Sequence, residues 1–321
     1  MIISINEKNF DLYCKDILNI NKKNSLAYYN QDFLRYLKEV STNGVVIDKS
    51  FVVLQEEKPV ALFLGNIAGK KKKILKMYSL SSTYFEGNSL IKKSTKKLII
   101  EHFKKILTEC NEKIEFEDYL KGGNINIISE YLISKKAEIK HKIYKKIDLS
   151  QSENDLRQSI RKSYKSLLNW GEREIKIKFY DDKNISKDIF DLYKNLHFEV
   201  TEKKTRSDKS WEIQYDLIKS KNCFLVLGEY KKEIVSGGMF FNNGFVCNYG
   251  SSVSKRELFH KPIFHNMLWS SFLFAKQKKF KSFLIQWGEL KKKNTKKEDS
   301  INLFKDGFGG ENQLTLNLVL K

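Results

Sequence analysis

The order of secondary-structure signals in this chain occurs twice, and that repeat restricts its folds more than any single motif does. In the second half, period-2 alternation marks strands at 174–180 (EIKIKFY), 223–230, 234–241, 245–252, 282–287 and 313–320. Apolar residues spaced i, i+3 and i+4 mark helices at 185–200, 208–219 and 262–279, with a short one near 298–305. The resulting order is βααβββαβαβ. The first half repeats it, with strands at 1–5, 50–55, 59–65, 73–80, 113–118 and 138–147 and helices at 7–19, 30–39, 92–110 and 124–135. Turns are expected at Glu56–Lys58 and at Lys231–Lys232. Local chemistry recurs as well: YSLSS (78–82) and YGSS (249–252) each end the fourth strand before a long helix. A repeat of this length predicts two domains of one fold rather than a solenoid. The polar SQSEN stretch places the boundary between 1–150 and 151–321, and a helix over 153–170 is expected to connect the two.

Composition agrees with two cores. A chain of 321 residues exceeds what one core usually supports, and 41% hydrophobic residues, including 22 Phe and 15 Tyr, exclude disorder. No basic segment followed by an apolar one opens the chain, and its longest apolar stretch, 267–275, is interrupted by serines. These features predict a cytoplasmic protein with at most peripheral membrane contact. Cys14, Cys110, Cys223 and Cys247 are scattered without a C-x-x-C pair, so reduced thiols are expected, and neither a disulfide framework nor a metal site. A formal charge of +20 raises an anionic partner. Only six of the 59 basic residues are arginine in a chain crowded with Lys, Asn and Ile, which weakens charge as evidence for nucleic acid.

Residues 250–276 (GSSVSKRELFHKPIFHNMLWSSFLFAK) join the fourth strand of the second half to its long helix. Phosphate cradles at helix starts need bare backbone N–H groups, and glycine supplies the access. After Gly250 this link has no glycine; it offers Lys255, Arg256, His260 and Lys261, then Pro262 at the helix start. The sequence contains no Ser–His–Asp order, P-loop, dinucleotide fingerprint or H-E-x-x-H.

The duplicated βααβββαβαβ order resembles the GNAT superfamily of N-acyltransferases, and two such units in tandem resemble the Fem-type aminoacyl and peptidyl transferases. The most specific resemblance is KEDSINLFKDGFGG (297–310), a helix ending in Phe-Lys-x-Gly-Phe-Gly-Gly, with LHFEVTEKKTRSDKSW (196–211) and HKPIFHNMLW (260–269) in support. The resemblance covers essentially the whole chain. It implies an α/β (α+β) fold of two tandem GNAT-like domains, each a mixed, mostly antiparallel sheet flanked by helices. It also implies a site where the fourth and fifth strands part, and transfer of an aminoacyl or acyl group onto a primary amine of a sugar-, peptide- or glycan-linked acceptor. No tightly bound cofactor is implied. Aminoacyl-tRNA is the favoured donor, because the coenzyme A loop is degenerate in the second domain of Fem-type proteins. An acyl-coenzyme A-dependent N-acetyltransferase of surface glycan synthesis is an alternative, and a non-catalytic basic module binding RNA or a glycan carrier is another. The implied partners are a small-molecule or lipid-linked amino-sugar or peptide acceptor, with tRNA under the favoured donor.

Each candidate residue has a plain reading beside the functional one. Lys305 complements the dipole of a helix stopped by Gly307, or stabilises the oxyanion formed when an amine attacks an ester or thioester. Phe304 would then line the channel. Tyr249 is a half-buried strand residue, or orients the donor. Arg206 is a surface loop charge, or a planar fork capturing acceptor phosphate near His197 and Trp211. Arg161 sits on a solvated helix face or contacts substrate. Glu289 is an ion-pair partner or accepts the amine proton. Lys255 and Arg256 face the donor. His265 shares a helix face with Trp269 and reads as a packed core histidine.

Overall fold

The computed structural model describes residues 1–21, 31–40, 46–69, 73–81, 91–118, 125–289 and 295–321, and within them two hairpins carry the same uncommon turn. β3 (Phe51–Gln55) enters β4 (Lys58–Ala68) through Glu56 and Glu57, at φ 50° and 62°. β9 (Cys223–Tyr230) enters β10 (Glu233–Asn242) through Lys231 and Lys232, at φ 50° and 67°. Two left-handed residues give the mirror-image turn whose twist suits a two-residue hairpin.

The remaining elements follow the repeated order. In the first half these are β1 (Ile2–Ser4), α1 (Phe10–Asn21), α2 (Gln31–Val40), β5 (Ile74–Ser81), α3 (Lys93–Leu107), β6 (Lys113–Asp118), α4 (Ile127–Ser134) and β7 (Glu138–Asp148). A short β2 (Val46–Asp48), which the pattern does not predict, pairs with β4. The second half holds α5 (Glu153–Ser159), α6 (Lys162–Glu174), β8 (Lys176–Tyr180), α7 (Lys187–Thr201), α8 (Asp208–Lys219), β11 (Val246–Ser254), α9 (Ile263–Gln277), β12 (Ser282–Glu289), α10 (Lys296–Asp306) and β13 (Glu311–Leu320). Polar caps start several helices: Asn126, Ser152, Ser186, Ser207 and Thr295 each accept a first-turn N–H.

All thirteen strands of the described residues join one sheet, in the order β1-β3-β4-β5-β6-β13-β7-β12-β11-β10-β9-β8 with β2 beside β4. Read from either edge, each half lays down its first five strands in the same succession and then receives the last strand of the other half. β13 pairs with β6, β7 with β12, and the two exchanged strands pair with each other at the centre. Among the described residues the only parallel pairs are β5 with β6 and β11 with β12, the fourth and fifth strands of each half. The exchange merges into one sheet what the sequence pattern describes as two.

The expected single helix over 153–170 is broken. Ile160 is extended (ψ 143°) and buried, and the Arg161 N–H donates to Gly307 O at 2.9 Å. The FKDGFGG segment docks into that break. A Cβ on Gly307 would lie 2.0 Å from the Tyr164 ring, and one on Gly309 2.9 Å from Ser159 O, so these glycines are demanded by close approach.

Helices cover both faces. One face buries Ile99, Phe103 and Phe116 under α3 and α4, and Phe240, Met267 and Phe283 under α9. The other buries Phe10, Cys14 and Ile17 of α1 on the first half and Phe190, Tyr193 and Trp211 of α7 and α8 on the second. First-half α2 packs on α8 and reaches its neighbours in the second half: Phe33 meets Phe241 of β10 at 4.9 Å, and Asp32 accepts from Asn222, just before β9, at 2.7 Å. No described helix is long and apolar enough to cross a membrane.

Candidate active site

β11 and β12 pair only from Val246 and Ser282 to Asn248 and Leu284, then part, β11 running on to Ser254 and β12 to Glu289. Both strands are irregular where they separate. On β11, the register with β10 moves from Phe240↔Tyr249 to Gly238↔Ser252, leaving Gly250 and Ser251 opposite Met239. A Cβ on Gly250 would sit 2.3 Å from the Phe241 ring, so only glycine fits there. On β12, the register with β7 skips Trp287. Bulges re-aim a strand, and these two stand on opposite sides of the opening.

One wall of the opening is aromatic. Tyr249 packs 6.0 Å from Phe264, the second residue of α9, and Phe264 packs 6.0 Å from Phe304. Phe304 continues to His265 at 5.0 Å and Phe308 at 5.2 Å. The Tyr249 hydroxyl is 2.5 Å from Ser252 Oγ, and burial pushes its pKa up to about 12, so it stays protonated and available as a donor. Lys305 closes the opposite side. Its Nζ donates to the carbonyl of Gln286 on β12 at 2.5 Å, and desolvation pulls its pKa below the usual lysine value. Neighbouring Asp306 is engaged by Lys145 at 2.8 Å, and Tyr164 Oη donates to Phe304 O at 3.2 Å. The Gly-Phe-Gly-Gly segment therefore fixes where Lys305 points. Tyr164 and the Gln286 carbonyl carry no motif, and Phe264 lies in HKPIFHNMLW with nothing there to single it out; their spacing from Tyr249 and Lys305 in three dimensions reveals all three.

Arg206 lies on the other face of the sheet. Its Nη1 donates to His197 Nε2 at 2.7 Å, its Nε to Tyr36 Oη of α2 at 3.3 Å, and its guanidinium stands 5.0 Å from the Trp211 ring centroid. Burial, then the Arg206 charge, lowers the His197 pKa to about 4, so the ring is neutral and accepts. Trp211 is only 1% exposed. As a substrate contact it is corrected: a ring so deep supports Arg206 from beneath. The two faces communicate through β11, where Ser251 bonds the Tyr193 hydroxyl at 2.9 Å and Ser252 bonds Tyr249.

The remaining candidates separate. Lys255, expected to face the donor, is buried between Glu199 at 2.8 Å and Glu233 at 2.5 Å. Two carboxylates neutralise it and hold its pKa high, which corrects that assignment. Arg256 is exposed at the start of a short 3-10 turn. Arg161 lies over Tyr164 at 5.2 Å beside the FKDGFGG segment, away from Arg206. The backbone of Glu289 ends β12 opposite Lys142; its side chain lies outside the described residues, as do those of Tyr78, Ser79, Leu80 and Ser81 and the whole of Ser82. His265 is packed between Tyr164 and Phe304, with burial lowering its pKa to about 4. In the link before α9, the N–H groups of Leu258, Phe259, Lys261, Ile263 and His265 all donate to nearby carbonyls of the link. Among the described residues, no group of three His, Cys, Asp or Glu side chains could hold a metal ion.

No family model and no curated protein matches the sequence. Solved structures do match the fold. FemX is similar over 100% of this chain and 97% of its own, at 11% identity and a TM-score of 0.71. A tandem GNAT protein from the clavulanic acid biosynthesis pathway covers 100% and 98%, at 7% identity and TM-score 0.58. The C-terminal domain of a putative lysylphosphatidylglycerol synthetase from Agrobacterium fabrum covers 97% and 92%, at 8% identity and TM-score 0.59. The fold is that of the tandem GNAT-like, Fem-type proteins, mixed α/β with a mostly antiparallel sheet.

Proposed function

We propose that the protein is an N-acyltransferase of Fem type that moves an aminoacyl or acyl group onto a primary amine, with aminoacyl-tRNA as donor and a sugar-, peptide- or glycan-linked amine as acceptor. We divide the chain functionally into residues 1–150 and 151–321, with the chemistry in the second. The observation that carries this reading is the Lys305 amine anchored on Gln286 O where β11 and β12 part.

The acceptor nitrogen attacks the donor carbonyl carbon, a C–N bond forms, and the carbonyl oxygen gains negative charge. The Lys305 ammonium, in a partly desolvated position, stabilises that charge without reorganising. The C–O ester bond then breaks; the nitrogen sheds a proton as it becomes an amide and the departing nucleotide oxygen takes one up, with the neutral Tyr249 hydroxyl on the wall relaying it between them. Phe264 and Phe304 exclude water and hold the acyl chain, so most of the acceleration is positional. Arg206 binds acceptor phosphate from the other face.

The link before α9 favours tRNA over coenzyme A. The N–H groups of Leu258, Phe259, Lys261, Ile263 and His265 are used locally and Pro262 removes another, which leaves a poor backbone cradle and favours side chains as the phosphate contacts. The acyl-coenzyme A reading retains support in two likenesses: to the tandem GNAT protein, described without AcCoA, and to Saccharomyces cerevisiae N-myristoyltransferase with bound myristoyl-CoA, the latter at TM-score 0.50 and 12% identity over 100% of this chain and 82% of that one. The test incubates purified protein with radiolabelled aminoacyl-tRNA or acetyl-coenzyme A and a panel of amino-sugar and peptide acceptors. Transfer from charged tRNA is expected. Transfer from acetyl-coenzyme A alone overturns the donor, and no transfer from either, with RNA still raising the melting temperature, leaves a binding module.

A further inference from the structure

Beside the opening lies a surface that the chemistry above leaves unused. β9 and β11 are both antiparallel to β10, so Tyr230 at the end of β9 stands at the end of the sheet where β11 parts from β12. There Tyr230 packs against Trp170 of α6, ring centroids 5.9 Å apart. Lys261 of the link holds its ammonium 5.9 Å from both centroids, and Lys231 lies 5.4 Å from that of Tyr230. Next in the link, Phe259 is 67% exposed, the most exposed aromatic among the buried and exposed hydrophobics of the described residues, with Arg256 exposed nearby and Glu257 the one acid of the link. Ile263, the first residue of α9, is buried against this patch, and Phe264, the second, belongs to the channel wall.

We propose that this patch, with Phe259 as stacking platform and Arg256, Lys231 and Lys261 as phosphate contacts, docks the single-stranded end of an RNA and leads it to the opening. Single-stranded nucleic acid is held by cations that follow the backbone and by aromatic faces that stack bases. Here Lys231 and Lys261 are set by cation–π contacts, the Phe259 ring is exposed, and the N–H groups of Leu258, Phe259 and Lys261 are engaged within the link, so contact falls mainly to side chains. A membrane surface would need several protruding apolar groups; Trp170 and Tyr230 are half-buried and lie under lysines, and Phe259 protrudes by itself. The inference rests on the tRNA-donor reading and deepens it.

The test measures binding of a fluorescent single-stranded RNA and of uncharged tRNA, separately from transfer, to wild type, Phe259→Ala, Phe259→Trp and the double variant Lys231→Gln/Lys261→Gln. Phe259→Ala is expected to weaken RNA binding roughly five- to hundredfold with the salt dependence unchanged, and Phe259→Trp to restore it. The double variant is expected to flatten the slope of log affinity against log salt by about 0.7 per lost phosphate contact. These positions are at the surface, so the melting temperature should hold. Unchanged RNA affinity in Phe259→Ala and in the double variant overturns the proposal, as does a Phe259→Ala effect confined to anionic phosphatidylglycerol vesicles. If RNA binding falls as expected but wild type transfers nothing from charged tRNA, the docking surface stands and the donor reading fails. If wild type transfers from charged tRNA with kcat/KM equal in all variants, the surface fails and the donor reading stands.

Discussion

The two places where fourth and fifth strands run parallel have been put to opposite uses. At the second-half opening, three register pairs join β11 and β12 before they part, and a cation, Lys305, is presented to the freed carbonyl of Gln286. In the first half, β5 and β6 stay paired over five positions, Ile74↔Lys113 to Tyr78↔Glu117, and β6 ends in two buried acids. Asp118 accepts from Asn126 N and Ser129 Oγ, each at 2.7 Å, fixing the start of α4, and Glu117 takes Lys142 at 2.7 Å. One half consumes its strand-end charge in holding a helix, and the other turns a helix-end charge toward an open strand. The frame occurs twice, and among the described residues the charges beside the two parallel pairs are used differently.

The largest effect expected from this contrast is on transfer. Lys305→Met should lower kcat by about 10²–10³, the usual cost of losing one oxyanion donor, with RNA affinity and melting temperature close to wild type. Steady-state rates with charged tRNA check it, and a kcat within threefold of wild type would break the contrast at its active side.

Asp118→Ala should do the reverse. It leaves the Asn126 N–H and the Ser129 hydroxyl unpaired in a buried place, at about 1–3 kcal/mol of stability, and leaves kcat unchanged. Denaturant melts read the first and transfer rates the second. Burial raises the Asp118 pKa, so this group opposes folding progressively as pH climbs above the ordinary carboxylate range, and Asp118→Asn should flatten that part of the stability profile.

Arg206→Lys tests whether the opposite face of the second half handles the acceptor. Loss of a bidentate, charge-assisted contact predicts an acceptor KM roughly tenfold higher with a phosphorylated amino sugar. Because Arg206 also ties α2 to α7 through Tyr36 and His197, a modest fall in melting temperature should accompany it. A fall in melting temperature with KM unmoved would reduce Arg206 to a tie between the halves. His197 gives the pH counterpart. Its pKa is lowered to about 4 from 6.5, so the stability tied to its neutral form is present above pH 6.5 and is lost as pH falls toward about 4; His197→Gln should remove that loss from acid melts.

Much of this contrast could be read in advance, for a physical reason. Strand and helix periodicity is local, so the twelve repeated strands and both hairpin turns follow from the sequence, whereas Tyr249, expected at a strand end, falls within β11 just past its last residue paired with β12. The exchange of β7 and β13 does not, because pairing across the centre joins residues some 170 positions apart, such as Lys145 and Asn312, and no local pattern encodes it. The break at Ile160–Arg161 was hidden likewise, being imposed by Gly307 and Gly309 docking from the far end of the chain. Lys255 misled because a lysine in a basic link looks free until Glu199 and Glu233, one on a helix and one on a strand, are seen closing on it.

The smallest effect concerns the turns that announce the repeat. Glu57 and Lys232 occupy the same place in β3–β4 and β9–β10, with φ of 62° and 67°, a region that costs an L-residue roughly 1 kcal/mol and glycine almost nothing. Part of that gain is returned through the greater freedom of glycine in the unfolded chain. Glu57→Gly and Lys232→Gly should therefore each stabilise by a few tenths to about 1 kcal/mol, and by similar amounts, in denaturant melts. Opposite charges at the two sites, acidic in one half and basic in the other, make the pair a control on electrostatics: in a chain of net charge +20, removing Lys232 relieves repulsion and removing Glu57 adds to it. If the two shifts agree at high salt and diverge at low salt, backbone strain and charge are separated. If Lys232→Gly destabilises while Glu57→Gly stabilises at every salt concentration, the two turns are not equivalent, and the repeat has diverged in its backbone as well as in its side chains.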